Sequence, residues 1–127
     1  MALSTYYRDK LLDHLYKGSS MSQPANIYMS CHTADPGTTG ASEVSGGSYA
    51  RQLVTSSLAA ASGGSKTTNA NVDFTLMPAC TVTDIGFWDA VTGGNFIQPA
   101  HLGSSVGVSA GNTFRIATGA VTITDNT

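Results

Sequence analysis

From Asn26 onward the apolar residues of this chain come at every second position, in short runs broken by glycine and proline. Ile27, Met29 and Cys31 alternate with Tyr28, Ser30 and His32, and Val72, Phe74 and Leu76 alternate with Asn71, Asp73 and Thr75. Successive side chains of a strand point to opposite faces, so this period builds half-buried strands and cannot line one side of a helix. Further strands are expected around residues 49–55 and over CTVTDIGFWD, residues 80–89. In the latter the apolar register moves from Cys80 and Val82 to Ile85 and Phe87, which predicts a bulge near Asp84 or Gly86. AVTGGN, residues 90–95, reads as a hairpin turn with Phe96 and Ile97 beginning the return strand. Phe114 and Ile116, then Val121 and Ile123, give two closing strands around a turn at Gly119. Residues 34–47 form a turn-rich loop and residues 56–70 a loose connection of small residues. No segment of crossover-helix length separates the strands, so a parallel sheet is disfavoured. The expected fold is mainly β: an antiparallel β-sandwich or jelly-roll-like barrel of about seven or eight short strands.

One helix precedes this region. Leu3, Tyr7, Leu11 and Leu15 recur at helical spacing around residues 4–17, with Ser4 placed to cap the start and Gly18 to end it. Asp13 and Lys17 make an acid-first pair one turn apart. The polar stretch GSSMSQPA, residues 18–25, follows. It suggests an N-terminal helical arm over residues 1–20, tethered to a β domain over residues 21–127. An arm of this kind would bury its apolar stripe on a neighbouring subunit; the plainer alternative packs it on its own domain.

Composition decides what surrounds this core. Only 11% of residues are charged and the formal net charge is -2, so no basic field exists to hold phosphates, and neither nucleic acid nor an anionic membrane is an expected partner. No apolar run approaches the roughly 18 residues that span a bilayer, and the opening lacks the apolar core of a signal peptide. A soluble chain is expected. Serine and threonine, close to a quarter of the residues, take the place of charge at the surface.

Candidates for chemistry are few. Gly103-Ser104-Ser105-Val106-Gly107 matches GxSxG, but a nucleophile elbow needs a helix after Ser105 and an acid followed by a histidine downstream, and no histidine follows His101, so the stretch reads as a flexible turn. Cys31, His32 and Asp35 are the only local group of ligand types, and neighbouring positions on a strand point apart, so no metal is expected. His14 and His101 have no acid at a fixed spacing to orient them. Asp84 and Asp89 flank Phe87 and Trp88 but fall on opposite strand faces unless the bulge intervenes. Tyr49 and Arg51 could stack a sugar or grip a partner. Cys31 and Cys80 read as buried free thiols, with a disulfide between neighbouring strands as the alternative. No cofactor and no enzymatic activity are expected.

The stretches CHTADPGTTGASEVSGGSYARQ (31–52) and VTDIGFWDAVTGGNF (82–96), with the opening STYYRDKLLDHL, resemble a family of small tailed-bacteriophage proteins labelled tail fibre or head decoration proteins. The resemblance implies a virion component without catalytic residues. A capsid decoration (cement) protein is the first expectation: it would bind the major capsid protein and copies of itself, as dimer or trimer, on the outer surface of the head. Tyr7, Leu11 and Leu15 of the helix, with Tyr49 and Arg51, are the candidate contact residues. A tail fibre or tail-tip component binding a host receptor is the alternative, and a glycan-binding module or hydrolase is the alternative of another class.

Overall fold

The computed structural model describes residues 3–16, 18–63 and 65–124. It is mainly β, with one N-terminal helix, α1 (Thr5–Tyr16). Among the described residues eight strands follow: β1 (Tyr28–His32), β2 (Gln52–Leu53), β3 (Ser65–Thr67), β4 (Val72–Phe74), β5 (Cys80–Trp88), β6 (Phe96–Val108), β7 (Phe114–Ile116) and β8 (Thr122–Thr124). A four-stranded sheet runs in the order β2-β1-β5-β6, and two ribbons pair β3 with β8 and β4 with β7, all antiparallel.

The core lies between the sheet and the ribbons. Met29 and Cys31 of β1, Ile85 and Phe87 of β5 and Ala100 of β6 meet Val72 and Phe74 of β4 and Phe114 and Ile116 of β7. Register explains the match: Cys31 stands opposite Ile85 and Met29 opposite Phe87, so their side chains leave the sheet on one face. The ladder between β5 and β6 slips between Val82 and Asp84, as the register change in the sequence predicts, and again between Phe87 and Trp88.

Five expectations require correction. β1 is not half-buried, because Met29, Ser30, Cys31 and His32 are all buried; the loop after it folds back over the second face, with Val44 N–H donating to the Cys31 carbonyl. The closing strands do not pair with each other across Gly119: β7 pairs with β4 and β8 with β3. The connection over residues 56–70 contains β3, and the glycine-serine stretch expected as a turn at residues 103–107 lies inside β6. Leu76 leaves the alternation, with φ of 51° and an exposed side chain, and Met77 takes the buried place.

Helix α1 starts as expected, with Ser4 Oγ accepting from Tyr7 N–H at 3.3 Å. The expected Asp13–Lys17 pair lies outside the described residues at Lys17. The polar stretch after the helix does not hold it apart: His14 Nδ1 accepts from Met21 N–H at 3.1 Å, which turns the chain back along the helix. Leu3, Tyr7 and Leu11 then share an apolar cavity of ≈ 230 Å³ with Met21, Pro24, Ile27 and Ile97. Over its first two turns the expected arm is thus part of the packed domain.

Both cysteines are free thiols, Cys31 buried and Cys80 partly buried. Burial pushes both thiols upward, Cys31 far above the ordinary thiol range. A water-soluble thiol reagent should therefore label Cys80 first in the folded protein and Cys31 only as the protein unfolds. Equal, rapid labelling of both would contradict the packing around Cys31.

Candidate functional site

Of the residues singled out from sequence, Tyr49 and Arg51 come together where the loop after β1 meets the turn after β5. Arg51 stands just before β2. Its guanidinium lies 3.7 Å from the centre of the Trp88 ring and forms a fork with Glu43, Nε to Oε2 at 2.9 Å and the second nitrogen to Oε1 at 2.8 Å. The remaining terminal nitrogen donates to the carbonyls of Ala90 at 3.0 Å and Gly93 at 2.9 Å. One side chain thus ties three segments together, and the fixed fork of arginine is what makes this possible. Tyr49 extends the network: its hydroxyl donates to Glu43 Oε2 at 2.9 Å and accepts from Cys31 N–H at 3.0 Å.

These contacts set the charge states. Burial alone would raise the Glu43 carboxyl, but the bonds from Arg51 and Tyr49 and the adjacent guanidinium outweigh it and hold the group below its ordinary value. Tyr49 is pushed well above the phenol range, by burial first and by the negative charge of Glu43.

Beneath the clamp lies a second, polar-aromatic cluster. Trp88 Nε1 donates to Ser30 Oγ at 3.0 Å, Ser30 Oγ lies 2.7 Å from His32 Nε2, and His32 Nδ1 lies 2.7 Å from the Ala41 carbonyl. A carbonyl can only accept, so Nδ1 carries the proton and Nε2 accepts from the serine. This chain of donors suits a neutral imidazole. Burial lowers the His32 pKa, partly opposed by the Ala41 bond and by the charges of Glu43 and Asp84. The unfolded chain therefore takes up a proton before the folded one does. Stability from this group is complete above the unfolded value near 6.5 and declines as pH falls below it. In urea titrations between pH 7.5 and 5.5, His32→Gln should lose part of the acid-side decline seen in the parent protein. An identical slope in both would show that His32 is accessible to protons in the fold.

The third feature is the seat of α1. Asp89 closes its turn by accepting from Asn95 N–H at 2.7 Å and Asn95 Nδ2 at 3.0 Å, and it also accepts from the Tyr7 hydroxyl at 2.6 Å. Burial opposes ionisation of Asp89, but these donors outweigh it and lower its pKa, while burial and the carboxylate push Tyr7 well upward. Ser4 N–H adds a bond to the Ile97 carbonyl at 2.7 Å.

The candidate contact residues divide accordingly. Tyr7 is 6% exposed and anchors the helix to its own domain, Leu11 is half-buried beside it, and Leu15 stands in solvent with Leu12 and Tyr16. Tyr49 and Arg51 hold the domain together rather than standing free. The Tyr49 ring packs on Phe74 with centres 6.1 Å apart and Arg51 covers Trp88, so neither aromatic face is laid open as a sugar platform. An open cleft of ≈ 370 Å³ over the clamp is lined by Glu43, Tyr49, Arg51, Val91 and Gly93, and its charged groups are spent on one another. Ser105 sits within β6 and not on a strand-to-helix turn. Asp84 is buried and accepts from Thr83 Oγ1 at 2.8 Å, apart in role from Asp89. Among the described residues no three His, Cys, Asp or Glu side chains come together to hold a metal ion. Sequence reasoning missed Glu43, Ser30 and Trp88 as partners. The available signal was the scarcity of charge, since a chain that uses so few ions has reason to place each one.

No curated protein matches the chain. The family described as podophage GP4 fiber I protein gp80 matches residues 2–124, nearly the whole chain. The match spans the helix, the clamped loop and the strands alike, and the chain belongs to the podophage GP4 fiber I protein gp80 family of small phage virion proteins.

Proposed function

We propose that this chain is a non-enzymatic structural subunit of a phage fibre. The observation that carries the reading is the family match over residues 2–124, whose description favours a fibre over the head decoration expected first from the sequence. The site chemistry supports it: Arg51, Glu43, Tyr49, Ser30, His32 and Asp89 all spend their polar groups inside the domain. A fold stabilised in this way suits a part that must keep its shape.

Attachment in the particle falls to the outer, C-terminal half of α1. Leu12, Leu15 and Tyr16 are 48%, 60% and 82% exposed, and burying each would contribute roughly 1.5–3 kcal/mol before ordering costs. The partner on this reading is a neighbouring virion protein, not nucleic acid or membrane. Gold-labelled antibody against the chain should decorate fibres, and quantitative mass spectrometry should count a few to a few tens of copies per particle. Labelling over the head at hundreds of copies would return the assignment to a decoration protein bound to the major capsid protein. Leu15→Asp with Tyr16→Asp should leave thermal unfolding within a few degrees of the parent and deplete the chain from particles. Normal incorporation would remove the helix from the attachment surface.

A further inference from the structure

Two surfaces of this chain are left uncovered, and each carries what the other lacks. The first is an apolar groove of ≈ 190 Å³ beside the seat of α1, lined by Ile27, Leu58, Phe87, Ile97 and Ile123 together with Lys66. Ile27, Leu58, Ile97 and Ile123 are half-buried over a buried Phe87, so the domain offers apolar surface there that it does not close itself. Lys66 stands opposite Ile123 in the ribbon of β3 and β8, and among the described residues it has no ion pair. The groove is smaller than the roughly 300–1,000 Å³ of small-molecule sites, and its size suits protruding side chains with an acid beside them.

The second surface is the outer face of α1. Leu12, Leu15 and Tyr16 follow one another at helical spacing and are exposed. Asp13 stands among them, exposed and without an ion pair to another described residue. The helix cannot turn this face into its own groove, because Tyr7 fixes it on Asp89 and at about 3.6 residues per turn Tyr16 stands on the side opposite Tyr7. A helix with apolar residues on both sides is one that is covered on both.

We propose that the outer face of α1 of one copy docks in the Lys66 groove of a second copy, with Leu12, Leu15 and Tyr16 against the aliphatic walls and Asp13 facing Lys66. The choice of a second copy rests on complementarity in two respects: an apolar stripe carrying an unpaired acid meets an apolar groove carrying an unpaired base. Because the two surfaces differ, the contact is heterologous and can repeat from copy to copy, as a fibre requires. The inference rests on the reading of α1 as the attachment element and names its partner.

Sedimentation equilibrium of the full chain should show reversible self-association. Leu15→Asp with Tyr16→Asp should weaken it at least about ten-fold. Lys66→Glu and Asp13→Lys, each melting within a few degrees of the parent, should each weaken it about ten-fold by setting like charges against each other. The chain carrying both Asp13→Lys and Lys66→Glu should regain association close to that of the parent, which a merely damaged groove would not do. A parent chain that stays monomeric at millimolar concentration would overturn the proposal, as would self-association that Lys66→Glu leaves intact or that the double variant fails to restore. If it fails in one of these ways while Leu15→Asp with Tyr16→Asp still depletes the chain from particles, the helix remains the attachment element and its partner is a different virion protein.

Discussion

Arg51→Ala is expected to destabilise the folded protein by about 3–5 kcal/mol, the range for removing one partner of a desolvated ion pair. The substitution removes both arms of the fork to Glu43 and both bonds to the carbonyls of Ala90 and Gly93. It also uncovers the Trp88 ring, against which the guanidinium is stacked. With side-chain exposures of 8% for Arg51 and 22% for Glu43, the pair is largely sheltered from water. The carboxylate would keep the Tyr49 hydroxyl as its donor. Chemical denaturation measures the effect, and Glu43→Gln in the Arg51→Ala background should recover part of it by removing the stranded charge. A loss below about 1 kcal/mol, the value of an exposed pair, would mean that the clamp is a surface ornament. Arg51→Lys should fall between the two, since an ammonium cannot serve Glu43, two carbonyls and an aromatic face at once.

Gly86→Ala should cost about 1–3 kcal/mol or more through overpacking alone. A methyl group built at Gly86 would lie 2.6 Å from His32 Nε2, 2.7 Å from Phe96 Cε1 and 2.8 Å from Ser30 Oγ. Ser30, His32 and Phe96 are all buried and Ser30 and His32 are fixed by hydrogen bonds to Trp88 and to the Ala41 carbonyl, so the intruding carbon has no flexible neighbour to displace. The central position of β5 removes the other escape, because β1 and β6 flank it on both sides. Thermal unfolding reads the stability loss, and a change in Trp88 fluorescence reads the displacement of Ser30 from the indole. A variant as stable as the parent with unchanged fluorescence would show that the cluster is loosely packed. Gly103→Ala serves as the control: nothing lies within 4 Å of the added carbon there, so its effect should be small.

Local rules carried a large share of the fold. The period of two from Asn26 onward, the capped helix from Ser4 and the turn around Gly93 and Gly94 each depend on residues a few positions apart, and each is seen in the structure. The slip near Asp84 was legible in position, because the apolar register shifts there within one strand, but the extra residues fall on the partner, where 102–105 of β6 stand against Thr83 alone. The role of β1 was not. Ser30 and His32 read as a solvent-facing row, because nothing local announces that Gly86 clears the space for them and that residues 33–47 return to cover them.

The site followed the same division. Tyr7, Tyr49 and Arg51 were picked out as residues with work to do, but the direction of that work was inward. Tyr7 meets Asp89 at a sequence separation of 82 and Arg51 meets Gly93 at one of 42, and no periodicity encodes contacts at that range. The sequence by itself determined a charge-poor, mainly β chain with one capped helix, because alternation, capping and turn chemistry act between near neighbours. Tertiary structure alone decided that β7 seeks β4 and β8 seeks β3, that the helix is seated on Asp89, and that the few charges are clamps. Strand partners and buried ion pairs are selected by the shape and burial of the assembled core, which exists only once distant segments have met.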